Sequence, residues 1–143
     1  MPERKANAEW NGTLKEGSGK VRLGSGLFEG AFSFATRMGD EPGTNPEELL
    51  GASLAGCYAM ALNATLGRKS AGAARTLVTA TVTADKTDAG IKLVSSNLKV
   101  TAEGLFGVEK AQFAEIAREA EGKCPISNAL RGTMKIDVEA DVK

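Results

Sequence analysis

NPEELLGASLAGCYAMALNATLG, residues 45–67, is the stretch on which the fold turns. Asn45 suits a helix cap, Pro46 the first helical position, and Glu48 stands three residues after the cap. Glu47 and Glu48 complement the positive end of the helix dipole. From Leu49 to Gly67 no residue is charged. Such a run invites a membrane reading, since a span takes about 20 apolar residues. Gly51, Ser53, Gly56, Asn63, Thr65 and Gly67 make it too polar, and nothing flanks it as an anchor. A helix with no charged face is instead expected to be buried all round. One domain of 143 residues struggles to surround it. Ala52, Gly56 and Ala59 are small enough to let another helix approach, so a two-fold partner subunit is expected to cover it.

Before this helix the pattern is that of strands. Ala6, Ala8 and Trp10 alternate with Lys5, Asn7 and Glu9, and Asn11-Gly12 is read as a hairpin turn. A second strand is expected over about residues 13–23, and a third with Phe28, Phe32 and Phe34 on one face. Arg37 to Asn45 reads as a polar loop. After the helix, Val78, Ala80, Val82 and Ala84 alternate with threonines, and Asp88-Ala89-Gly90 turns the chain. The apolar parity then changes from Ile91 and Leu93 to Leu98, Val100 and Ala102, which predicts a bulge near Ser95-Ser96. Phe113, Ile116, Ala117 and Ala120 form one helical stripe that stops at Gly122. Cys124-Pro125 opens a short helix, and Met134 to Val142 alternates as a final strand. The expectation is one α+β domain over residues 1–143, mainly antiparallel sheet around a buried central helix.

Bulk properties narrow the function by exclusion. The 18 basic and 18 acidic residues leave no net charge, so nothing argues for nucleic acid or an anionic membrane as partner. The opening MPERKANAEW lacks an apolar run and a cleavage site, which favours the cytosol and disfavours a standing disulfide. Asn11-Gly12-Thr13 matches a glycosylation acceptor formally, but without export a turn is the better reading. There is no histidine at all. That removes the usual zinc ligand, the Ser–His and Cys–His pairs and the commonest general base. Two cysteines cannot close a tetrahedral metal site, and neither flavin nor haem is indicated.

The chemistry left is that of thiols. Cys57 lies mid-helix, where most cysteines are simply small buried hydrophobes. Cys124 precedes Pro125 at a helix N-cap, where backbone N–H groups and the dipole favour a thiolate, although an ordinary cap has the same sequence. An apolar helix alone would raise the Cys57 pKa, so a site there needs a positive group. Arg37 is the best local source, and Glu47 is placed to orient its guanidinium. Taken singly, Arg37 is more often a solvated loop charge and Glu47 a helix-start carboxylate.

The stretch TRMGDEPGTNPEELLGASLAGCYAMAL, Thr36 to Leu62, together with KCPISNAL, Lys123 to Leu130, resembles the OsmC/Ohr family of osmotically inducible and organic hydroperoxide resistance proteins. The opening AEWNGTLKEGSGKV and the element order agree, so the resemblance covers nearly the whole chain. The arginine shortly before TNPEE looks more like the OsmC branch. The resemblance implies thiol peroxidase activity on organic hydroperoxides, in an intertwined homodimer with sites at the subunit interface. It implies that Cys57 is the peroxidatic cysteine and Cys124 the resolving one, with Arg37 activating and Glu47 holding the arginine. It implies no cofactor, and an external dithiol of thioredoxin or lipoyl type as reductant.

On that basis Cys57 attacks the peroxide and Cys124 closes a disulfide with the resulting sulfenic acid. Leu50, Leu54 and Met60 are expected to shape a pocket for an organic tail. The rivals are a non-enzymatic stress or lipid-binding scaffold, and a cysteine acyl-transfer enzyme, which the lack of histidine weakens. Glu47 and Cys57 are ten residues apart, or about 15 Å along a straight helix. One arginine cannot serve both there, so either the helix breaks or Arg37 and Glu47 come from the partner subunit. Cys124 is expected to reach Cys57 of its own chain by a loop movement.

Overall fold

The computed structural model describes residues 2–143. Two compact units divide at Leu49/Leu50. The first holds an antiparallel sheet of three strands, β1 (Ala6–Asn11), β2 (Ser18–Leu23) and β3 (Glu29–Phe32), in sequence order. Trp10 and Phe32 meet on it in a tilted pair, with ring centroids 5.3 Å apart and planes at 50°. Asn11-Gly12 does not make a two-residue hairpin. Asn11 pairs with Ser18, and Thr13 organises the loop between them, accepting from Glu16 N at its hydroxyl and from Gly17 N at its carbonyl.

The row of phenylalanines also ends sooner than the alternation predicts. Phe34 opens a short helix, α1 (Phe34–Met38), in place of continuing β3. Ser33 and Thr36 cap it reciprocally: Thr36 N donates to Ser33 Oγ at 3.2 Å and Ser33 N to Thr36 Oγ1 at 2.8 Å. Local side-chain bonds to the backbone overrode a period-two pattern. Arg37 therefore stands on the last turn of a helix, not in a loop.

The predicted central helix is continuous as α2 (Pro46–Arg68). Asn45 caps it as expected, its Oδ1 accepting from Glu48 N at 2.8 Å. By length and hydropathy α2 would qualify as a membrane span. Within the second unit, however, Leu54, Tyr58, Leu62 and Leu66 are fully buried in one core with Leu98, Val100 and Phe113. The opposite side differs from the expectation of burial all round. Ala52, Gly56, Met60 and Ala64 are exposed in the single chain, and a Cβ added at Gly56 would meet no atom within 4 Å.

The second sheet joins β4 (Gly72–Thr87), β5 (Gly90–Phe106) and β6 (Lys135–Val142) in that order. The β4–β5 ribbon is antiparallel, and its register slips where Thr83 pairs with Ser95 but Ala84 with Leu93. Val94 is the extra residue, one place before the predicted bulge, and the slip turns Leu98, Val100 and Ala102 into the core. β6 pairs with β5 in parallel, reached through α3 (Lys110–Glu121) and α4 (Pro125–Leu130). The stripe of α3 is as predicted, with Phe113, Ile116, Ala117 and Ala120 buried. Three of the four strand pairings are antiparallel, so the α+β class with mainly antiparallel sheet stands.

Candidate active site

The first unit supplies an ion pair. Arg37, at the end of α1, donates from Nε at 3.1 Å and from Nη2 at 2.9 Å to the same oxygen, Oε1 of Glu47. The arginine side chain is 40% exposed and the glutamate 17%. Glu47 is thus a shielded anchor, and the arginine's outer face is left toward solvent. Separate elements, α1 and the first turn of α2, hold the two partners, so the pair is fixed by tertiary structure and not by helical spacing.

The second unit supplies the thiols, both free. Cys57 sits mid-α2, half-buried, next to the core residue Tyr58, whose hydroxyl donates to Ala117 O at 2.7 Å. Cys124 is fully buried at the N-cap of α4, where its Sγ accepts from Ser127 N at 3.4 Å. The cap is the predicted one, but its electrostatic consequence is the reverse of the expected thiolate. Burial pushes the Cys124 thiol up, and this outweighs the lowering by the Ser127 N–H. The neighbouring Cys57 pushes it further in the same direction, with an opposing contribution from the Ile126 N–H. Cys124 and Cys57 both belong to this core region, Cys57 packing against the buried cluster that includes Cys124.

Burial also raises the Tyr58 phenol above its ordinary value, helped by the charges of Glu121 and Cys124. Glu121 is the residue that sequence reasoning missed. Its carboxylate accepts from Ser127 Oγ at 2.5 Å and from Arg131 Nη2 at 2.6 Å, and its side chain is 15% exposed. The available signal was an acidic residue ending a helix, where the dipole disfavours it, followed by Ser127 and Arg131 as compensating donors.

The residues expected to line an apolar pocket are dispersed. Leu54 is wholly within the core, Leu50 is half-buried, and Met60 is 76% exposed. The first two follow from a helix that buries one side only. Among the described residues no cluster of three or more Cys, Asp or Glu is arranged to hold a metal ion.

A family model described as OsmC-like protein matches residues 39–139. The chain belongs to the OsmC-like family. Among its relatives, the peroxiredoxin OsmC of Escherichia coli is 36% identical over 137 residues, covering 95% of each chain. The organic hydroperoxide resistance protein OhrA of Bacillus subtilis is 35% identical over 101 residues, 69% of this chain and 68% of that one. Of solved structures, an organic hydroperoxide resistance protein OsmC from Legionella pneumophila superposes with a TM-score of 0.73 at 25% identity, covering 97% of this chain and 96% of the other. An OsmC-like protein from Mycoplasma pneumoniae shares the fold at a TM-score of 0.75 and 20% identity. Both thiols, Glu47 and the whole of α2 fall inside the matched segment, whereas α1 with Arg37 lies just before it.

Proposed function

We propose that this OsmC-like protein is a cysteine-based peroxidase that reduces organic hydroperoxides to alcohols. The observation that carries the reading is a pair of free thiols in one core region, Cys57 half-buried on α2 and packed against the cluster that holds Cys124, buried at the α4 cap. The names of the Escherichia coli and Bacillus subtilis relatives support it. Cys57 thiolate attacks the terminal peroxide oxygen, the O–O bond breaks, and the alkoxide leaves as alcohol after taking a proton. The Cys57 sulfenic acid then condenses with Cys124. The new S–S bond forms as the sulfenic oxygen departs as water with the Cys124 proton. An external dithiol reduces the disulfide through a mixed disulfide.

Arg37 is assigned the activation of this chemistry, as a fixed donor for sulfur and for charge developing on the leaving oxygen. Glu47 holds it through the paired contacts to Oε1. The unbroken run of α2 from Pro46 to Arg68 supports a shared arrangement, in which a homodimer brings Arg37 and Glu47 of one chain to Cys57 of the other. The exposed uncharged side of α2, with Ala52, Gly56 and Met60, supports a second copy as its cover. Leu50 and Met60 then lie where an organic tail would be bound, and Leu54 backs them from the core.

The test is steady peroxide turnover with a dithiol on wild type, Cys57→Ser and Cys124→Ser, comparing an alkyl hydroperoxide with hydrogen peroxide. Cys57→Ser is expected to lose even the first turnover. Cys124→Ser is expected to reduce one equivalent and then stall as sulfenic acid or over-oxidise. An apolar subsite favours the alkyl substrate by about 0.8 kcal/mol per buried methylene. Equal first turnovers in wild type and Cys57→Ser would falsify the assignment.

A further inference from the structure

The corner between α3 and α4 contains an acidic residue that the proposed chemistry leaves unused. Glu121 ends α3, where the helix dipole opposes a negative charge, and its side chain is only 15% exposed. A buried carboxylate in such a place is tolerated only with strong donors. They all come from the segment after Cys124. Ser127 Oγ donates to Oε1 at 2.5 Å and Arg131 Nη2 to Oε2 at 2.6 Å. Arg131 Nη1 also donates to Asn128 Oδ1 at 2.5 Å, and Asn128 Nδ2 to Gly122 O at 3.1 Å. The eleven residues from Glu121 to Arg131 are thereby closed into a polar clasp with Cys124 inside it.

Ser127 joins the clasp to the sulfur. Its hydroxyl donates to Glu121, and its backbone N–H donates to Cys124 Sγ at 3.4 Å. Fixing the first bond fixes the direction of the second. Resting on the reading of Cys124 as the resolving thiol, we infer that Glu121 is a positioning residue for disulfide formation, holding Cys124 Sγ beside Cys57 through Ser127. In that step the Cys124 sulfur is oxidised and bonds to Cys57, the sulfenic S–O bond breaks, and water leaves with the Cys124 proton. The competing reaction is a second hydroperoxide oxidising the sulfenic acid to sulfinic acid. The clasp matters because a fixed neighbour wins that competition by proximity, and small misplacements of a reacting pair cost up to about 100-fold.

The experiment is rapid mixing of reduced protein with an alkyl hydroperoxide, followed by mass spectrometry of the disulfide and sulfinic forms over time. Wild type, Cys124→Ser, Glu121→Ala, Glu121→Gln and Ser127→Ala are compared. Glu121→Ala is expected to slow disulfide formation about 10- to 100-fold and to raise the sulfinic fraction at excess peroxide. The loss falls on this step alone, with the rate of Cys57 oxidation in the same traces kept. Glu121→Gln lies between, since an amide oxygen still accepts from Ser127 but gives up the charge. A merely structural role would depress both steps together and overturn the inference. Should Glu121→Ala fail to fold, Ser127→Ala removes a single hydroxyl and reads the same partition. A wild-type partition in Glu121→Gln and Ser127→Ala, with Cys124→Ser over-oxidising, would sink the role of Glu121 alone. If Cys124→Ser itself gives no extra sulfinic acid, the resolving role of Cys124 fails and this inference goes with it.

Discussion

Arg37 uses Nε and Nη2 on one oxygen of Glu47, which fixes the plane of the guanidinium. A point charge on a flexible stem does not reproduce that arrangement. Arg37→Lys is therefore expected to keep the local charge yet slow Cys57 oxidation by about 10²–10³, the usual cost of removing one preorganised donor. Arg37→Ala is expected to raise the pH at which Cys57 becomes reactive toward an alkylating reagent. The measurements are single-turnover oxidation and alkylation rate against pH. A lysine variant as fast as wild type would remove the planar fork from the mechanism. At this scale the sequence was informative about identity but not about environment. The types and spacing of Arg37, Glu47, Cys57 and Cys124 are visible in one dimension, whereas the burial that raises the Cys124 thiol belongs to a core assembled from residues distant in sequence, Leu98 and Phe113 among them.

Among the elements, α2 and α3 are joined by a buried phenol as well as by apolar contact, and this joint has a pH dependence. Tyr58 donates to Ala117 O, and burial raises both Tyr58 and Cys124 above their ordinary values. The unfolded chain ionises these groups first, at about 8.5 for a thiol and about 10 for a phenol. Above each of those values the folded state binds more protons, so stability falls as pH rises toward the folded pKa. At neutral pH both groups are protonated in both states and contribute no slope. Denaturant midpoints measured from pH 7 upward are expected to decline from about pH 8.5, and more steeply above about 10. Tyr58→Phe is expected to lose about 0.5–1.5 kcal/mol at pH 7 and to flatten the decline above pH 10. Parallel profiles for the two proteins in that range would show that the phenol is not the cause.

The elements also mark where sequence reading stops. A charge-free run with Asn45 as cap gave α2 its limits, because capping and charge are local. The alternation of Met134 to Val142 specified a strand but not its direction, since parallel and antiparallel neighbours bury the same face. The parallel pairing of β6 with β5 is set by the α3–α4 crossover, a property of the connection. The end of β3 was misread because Ser33 and Thr36 act through hydroxyl bonds to backbone, which an apolar-polar pattern does not register.

For the whole molecule, the proposed sharing of the site between chains has a test that no single mutant gives. Cys57→Ser and Arg37→Ala homodimers are each expected to be inactive. Mixed after subunit exchange, a shared arrangement puts both defects in one site and leaves the other intact. Half of the wild-type activity is then expected in the fraction of heterodimers, which distinct affinity tags allow to be isolated. Heterodimers that stay inactive would place Arg37 and Cys57 of one site in a single chain.

The parallel β5–β6 pairing carries a consequence for how the protein comes to be made. The β4–β5 ribbon turns through Asp88-Ala89 and is contiguous in sequence, whereas β6 docks only after the crossover from Gly107 to Met134 has been laid down. Chains emerge amino-terminus first, and pairings distant in sequence close last. A ribosome-bound chain that has not yet synthesised the α4 segment thus presents Cys57 before Cys124 exists to rescue it. On the proposed sharing such a chain also lacks a partner's Arg37, so its Cys57 is expected to be oxidised slowly, and the thiol becomes reactive only in a finished dimer that also holds the means to resolve it.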